Sequence, residues 1–343
     1  MHDLKSPEGV ITYLKGTRFA ASSVHRLVGG VSAFTYRVLL EAPLDTGEHT
    51  IVIKHFEEYL ANHEEMKWGI ERADHEYKAL AAINNSGLFD SDSIVQLPRP
   101  LKYDQETHTI FMTDLGSPIP LTQVLEKGFP KNQTSVSTEP NKSPGLEELY
   151  KLAAEIGQAL GDFLGRFHTW SALPQQTELR AYFLENPGVV HKSLLFHHFC
   201  FNFSVDRFKI REAWMNGVLA KEQQELEAST DPGAMIMGDC SLPTTTSFAL
   251  IYHPNINHPF VPALHESYRQ HRILDPRRLG ITTGIDLLGL GTFMPWTRGK
   301  DEESLRDVAT AGFELLNSSV TSDEHIVTTN RIVQHLFPPS HDG

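Results

Sequence analysis

With 343 residues, 40% of them hydrophobic, the chain carries too much apolar mass for a disordered polymer and too much length for one small core. A net charge of -13 argues against a nucleic-acid partner, whose phosphates call for a basic surface. Two cysteines, Cys200 and Cys240, cannot build a disulfide framework, and residues 1–16 lack the apolar core of a secretory signal, so a soluble, cytoplasmic protein without membrane contact is expected.

Residues 24–40 hold two apolar stretches split by Gly29-Gly30, which predicts a hairpin with a glycine-rich turn. Residues 50–56 alternate, so that Val52, Lys54 and Phe56 share one face of a third strand. Ile70, Ala73, Tyr77, Leu80 and Ala81 recur at helical spacing, and 109–113 reads as a strand closed by Asp114-Leu115-Gly116. These elements compose a small mixed lobe over 1–115.

A Pro-, Asn-, Ser- and Thr-rich stretch at 127–144 has no periodicity and predicts an exposed loop insertion. Ser143-Pro144 offers a cap and a first-turn proline. Leu149, Leu152, Ile156, Leu160, Phe163, Leu164 and Phe167 then share a face of a long helix, expected to be the buried centre of a second lobe over 116–343. Helical patterns at 207–228, 264–269, 304–316 and 325–337 make that lobe mostly helical. A short apolar strand at 234–237 ends in Gly238-Asp239.

Lys54 is the first candidate for chemistry, because a lysine on an apolar strand face needs a carboxylate nearby. Glu76, on the helix that follows, is that carboxylate, and a strand lysine paired to a helix glutamate is how kinase folds grip ATP phosphates. An edge strand with Lys54 in solvent is the competing reading. Gly29-Gly30 and Ser32 lie in a turn whose backbone N–H groups have room to approach phosphate oxygens, although a two-glycine turn is also an ordinary hairpin connection. The strand end Thr113-Asp114-Leu115 would offer backbone groups to an adenine ring. Asp239, at another strand end, is placed to orient or deprotonate a substrate hydroxyl, or else belongs to a plain turn. The 18 histidines, His197-His198 beside Cys200 among them, lack the spacing of a zinc site, and no G-x-S-x-G elbow points to a hydrolase.

In order, Ile11-Thr12-Tyr13-Leu14, Arg26-Leu27-Val28-Gly29-Gly30, Ile53-Lys54-His55, Gly69-Ile70-Glu71-Arg72, Glu76-Tyr77 and Phe111-Met112-Thr113-Asp114-Leu115-Gly116 resemble the aminoglycoside phosphotransferase and methylthioribose-kinase-like superfamily, fungal 4-hydroxytryptamine kinases included. The likeness continues from Ile156-Gly157 to Phe167-His168 and resumes at 263–268, at Thr292-Phe293-Met294-Pro295-Trp296 and at 303–316. It implies an α+β, bilobal protein-kinase-like fold with a β-rich N-lobe and a helical, incomplete C-lobe. It further implies ATP and Mg2+ as cofactors, a small-molecule substrate and a place in secondary metabolism. By resemblance, Lys54 and Glu76 are the phosphate-gripping pair, Gly29, Gly30 and Ser32 the phosphate turn, Thr113, Asp114 and Leu115 the hinge, and Asp239 the catalytic aspartate.

The family follows that aspartate with a metal-holding asparagine and an Asp-Trp-Glu-like strand, and this chain has neither. Thr244 falls at the asparagine position, and 240–262 is a Thr-, Pro-, His- and Asn-rich stretch. Asp275 in Ile273-Leu274-Asp275-Pro276 is the substitute metal ligand, with Asp286 behind it. Two readings stand: a phosphotransferase that moves the ATP γ-phosphate to a metabolite hydroxyl, such as that of a hydroxylated indole, with an impaired metal site; and an inactive, pseudokinase-like nucleotide- or metabolite-binding protein. A protein kinase is disfavoured, since His-Arg-Asp, Asp-Phe-Gly and Ala-Pro-Glu signatures are absent. The sequence sets neither the acceptor nor an oligomeric state.

Overall fold

A computed structural model describes residues 3–28, 30–89, 93–119, 121, 146–185, 187–228, 245–246, 249–250, 258–293 and 300–321. The chain divides into two compact units, 1–118 with 186–192, and 119–185 with 193–343.

The first unit is built on an antiparallel five-stranded sheet in the order β1-β2-β3-β7-β6. Its strands are β1 (Ala21–Arg26), β2 (Phe34–Leu40), β3 (Thr50–His55), β6 (Pro100–Asp104) and β7 (Thr109–Thr113). Strand β3 is central, with Lys54 opposite Thr35 of β2 and Ile110 of β7, so the edge-strand reading of Lys54 fails. Its alternation serves two cores, as a period of two requires. Ile51 and Ile53 pack with Tyr36, Val38, Phe111 and with Val10 and Leu14 of α1 (Pro7–Leu14). Val52 and Phe56 turn the other way, toward Ile70, Ala73 and Tyr77, the last two on α2 (Arg72–Asn84).

Several elements of this unit escape the periodicity of the sequence. Helix α1 is only 8 residues long, and its start is fixed by a local signal: the Ser6 hydroxyl accepts the Gly9 N–H at 3.2 Å, with Pro7 in the first turn. The two-stranded ribbon β4 (Tyr59–Leu60) and β5 (His63–Lys67) is polar and exposed along β5, so it offers no apolar alternation to read.

The second unit is helical. Helix α3 (Leu146–Ser171) lies along α7 (Phe260–Arg269); Phe163, Leu164 and Phe167 of its expected face are buried, and glycines line its contact with α7. A Cβ at Gly157 or Gly161 would collide with the carbonyl oxygens of Phe260 and Leu264, and one at Gly165 would sit 2.8 Å from the His271 ring. Leu152, expected on the buried face, is 45% exposed. The physical reason is close backbone approach, which favours positions that carry no side chain over positions that carry large ones.

The helical pattern at 207–228 is two helices: α5 (Pro187–Phe208) ends and α6 (Met215–Ala228) begins. Lys209 adopts φ 59°, the Ile210 N–H reaches the Val205 carbonyl at 3.1 Å, and the Lys209 N–H reaches the Asp206 carbonyl at 3.2 Å. That is a Schellman ending, made here without the glycine that usually signals it. Phe201, Phe208, Met215 and Leu219 of this corner pack with Ile285 and Leu288 of α8 (Pro276–Leu288) and with Leu305 and Leu316 of α10 (Glu302–Thr321). The described part also holds two shorter helices, α4 (Thr177–Glu185) and α9 (Leu290–Phe293).

An antiparallel sheet unit followed by a helical one is the α+β organisation of a kinase-like fold. Among the described residues no helix is long and apolar enough to cross a membrane. The expected loop at 127–144, the strand at 234–237 and the helix at 325–337 lie outside the described residues.

Candidate nucleotide-binding site

The centre of the first unit's candidate site is a pair. The Lys54 ammonium donates to Glu76 Oε1 at 2.7 Å and Oε2 at 2.6 Å, a fork-like contact from the central strand to the second turn of α2. Both side chains are partly open, 22% exposed for Lys54 and 32% for Glu76, so the pair is accessible to a ligand yet less screened than a surface pair. Phe56, buried two positions on and just past the end of β3, carries the lysine: the ammonium stands 5.2 Å from its ring centroid. A fixed ammonium with a carboxylate behind it is suited to meeting phosphate oxygens without wandering.

Of the predicted phosphate turn, Gly29 lies outside the described residues. Gly30 is exposed, its φ is not left-handed, and a Cβ added to it would meet no atom within 4 Å. Neither backbone strain nor crowding within the protein therefore calls for glycine at 30. Ser32 follows it, half-buried, just ahead of β2.

The third predicted part is strapped in place by a residue that the sequence did not single out. Arg37, on β2, forms a bidentate pair with Asp114, Nε to Oδ2 at 2.6 Å and Nη2 to Oδ1 at 2.9 Å. It also donates to the Ser117 hydroxyl at 2.7 Å and to the Gly116 carbonyl. Burial alone would raise the Asp114 carboxyl, but the Arg37 bonds and the Gly116 N–H outweigh it and hold the group below its usual range. Asp114 thus works as an anchor. Thr113 ends β7 with its hydroxyl accepting the Arg99 N–H at 2.8 Å. Leu115 is 48% exposed, and among the described residues its backbone N–H and carbonyl make no hydrogen bond. The one sequence signal for Arg37 is its place on β2, two strands from the β7 end, which only the strand order converts into a contact.

In the second unit Asp239 lies outside the described residues. The Asp275 carboxylate caps α8, its Oδ1 accepting the N–H groups of Arg277 at 2.9 Å and Arg278 at 3.1 Å. Asp286 is buried on the same helix, 3.7 Å from the His197 ring. His198 meets Glu222 at 3.2 Å, and burial pushes the Cys200 thiol up to about 12, far from a thiolate ligand. Among the described residues no three His, Cys, Asp or Glu side chains come together in one group. Asp275 uses one of its two carboxylate oxygens in capping α8.

No protein-family profile matches the chain. It is 32% identical over 171 residues to the 4-hydroxytryptamine kinases of Psilocybe cubensis and Psilocybe cyanescens, which is 48% of this chain and 42% of each relative. It is 29% identical over 177 residues to phosphotransferase FrzJ of a Cladobotryum species, 47% of this chain and 41% of that protein. The matches thus span less than half the length of these curated relatives. Over that shared part, the chain is related in sequence to fungal phosphotransferases, in keeping with its α+β, kinase-like organisation.

Proposed function

We propose that the chain binds ATP through its first unit and is a small-molecule phosphotransferase, acting on a hydroxyl of a metabolite. The observation that carries this reading is the Lys54–Glu76 pair on the central strand of an antiparallel sheet, with the exposed Gly30 before it and, after it, Leu115 backbone groups that make no hydrogen bond among the described residues. In the reaction the acceptor hydroxyl oxygen bonds to the γ-phosphorus, the bond from that phosphorus to the β–γ bridging oxygen breaks, and ADP leaves. Asp239 is the proposed base that takes the hydroxyl proton. Lys54 steadies the phosphate oxygens, Glu76 holds Lys54, and Thr113 to Leu115 receive the adenine. An aromatic alcohol is the proposed acceptor class, by analogy with the 4-hydroxytryptamine kinases of Psilocybe. Mg2+ would supply charge neutralisation between the β- and γ-phosphates.

The test is the melting temperature of the purified chain with ATP, with and without MgCl2, for wild type and Lys54→Ala. A ligand that binds only the folded state raises apparent stability by mass action, so wild type should shift and Lys54→Ala should not. A shift that needs magnesium, followed by phosphate transfer to a hydroxylated indole, supports the enzyme. A shift without transfer to any hydroxylated metabolite turns the reading into nucleotide binding without catalysis, and no shift at all refutes both.

A further inference from the structure

Arg72 opens α2 and is 7% exposed, yet among the described residues it makes no ion pair. Its two Nη groups go instead to backbone carbonyls, Nη2 to Ser32 at 3.0 Å and to Tyr59 at 2.8 Å and Nη1 to Gly69, while its buried Nε has no hydrogen-bond partner among the described residues. Burial pushes the guanidinium below its usual range, with Glu71, Glu76 and Glu57 opposing that shift. A buried charge held only by neutral carbonyls, with one N–H left over, is a costly way to gain stability. What it does achieve is fixed geometry, since a planar fork cannot swing without losing its partners.

The carbonyls it holds belong to different segments, and one of them is in the glycine turn. The same turn is held a second time: Asn62, exposed in the connection between β4 and β5, donates its Nδ2 to the Gly30 carbonyl at 2.9 Å. A trans peptide points its N–H opposite to its C=O. With the Gly30 and Ser32 carbonyls drawn toward Asn62 and Arg72, the N–H groups of Val31 and Ala33, which share those peptides, are directed away from them. Among the described residues neither N–H has an acceptor. Arg72 also stands on the ring that supports Lys54, its Cζ 5.4 Å from the Phe56 centroid, and Glu76 follows it one helical turn later on α2.

We infer that Arg72 and Asn62 are positioning residues that clasp the glycine turn by its carbonyls, so that its Val31 and Ala33 N–H groups are presented to the phosphates of a nucleoside triphosphate in fixed register with Lys54. The inference rests on the nucleotide reading above. It also accounts for the polar β4–β5 ribbon, whose tip holds the turn.

Calorimetric titration of wild type, Asn62→Ala and Arg72→Lys with ATP and with AMP, in MgCl2, tests it. Asn62→Ala should weaken ATP about three- to tenfold, the equivalent of one hydrogen bond, leave AMP unchanged, and keep the wild-type melting temperature. Arg72→Lys, which keeps the charge and loses the fork, should weaken ATP at least as much. Equal loss for ATP and AMP, or wild-type ATP affinity in Asn62→Ala, overturns the clasp even if Arg72→Lys fails to fold. A wild-type chain that binds neither nucleotide removes the nucleotide reading and the clasp with it.

Discussion

Glu76 is assigned no contact with a ligand; its proposed work is done through Lys54, and a double-mutant cycle measures that dependence. The two contacts at 2.6 and 2.7 Å are charge-assisted, but with 22% and 32% of the side chains exposed their net value falls toward that of a screened pair. Glu76→Gln keeps the shape, removes the charge and should cost the fold about 1 kcal/mol. Lys54→Met removes a cation from the phosphates and should weaken ATP by about 10- to 100-fold, the range of one hydrogen bond to a charged group. Glu76→Gln alone should weaken ATP by about tenfold or less, because the lysine remains but is no longer aimed. In the Lys54→Met background the same glutamine should change ATP affinity by less than about twofold, so the effects are strongly non-additive. The assay is titration with ATP on all four proteins, with urea denaturation alongside to separate folding from binding. Additive losses in affinity would refute the assignment, since Glu76 would then meet the ligand or shape the site independently of Lys54.

Gly30→Ala should fold like wild type, because a Cβ there meets no atom within 4 Å, and should weaken ATP binding measured by titration; unchanged affinity would remove Gly30 from the site. Gly161→Ala should lose about 1–3 kcal/mol in urea denaturation, since its Cβ strikes the Leu264 carbonyl, whereas Gly217→Ala, in open space on α6, should gain up to about 1 kcal/mol. His168, lowered to about 4 by burial and by Arg272, binds its proton more weakly in the fold than its unperturbed value of 6.5. Its contribution is therefore complete above pH 6.5 and is lost as pH falls toward 4, roughly 3 kcal/mol in all. Denaturation across that range should show a smaller decline for His168→Gln than for wild type.

How much of this was legible depended on whether the determining contact was local. The period-two run at 50–56 placed Lys54 and Phe56 on one face, and the helical run after Ile70 placed Glu76 on the helix that packs there, so the pair followed from two local patterns and their order. Arg37 and Arg72 were not legible as anchors, because an arginine's partners here are carbonyls and a carboxylate brought in by strand order, and no spacing rule reports those. The glycine contacts of α3 are silent for a related reason: periodicity counts large apolar side chains and finds Phe163, Leu164 and Phe167, whereas Gly157, Gly161 and Gly165 contribute by letting another segment approach. The split at Lys209 escaped because the residue in the left-handed position was a lysine, so the ending lay in φ and two hydrogen bonds rather than in composition. These misses share a cause with the clasp on the glycine turn. Where backbone carbonyls and bare Cα positions do the positioning, the side-chain pattern is silent, and in this chain that is also where the geometry of the candidate phosphate site is set.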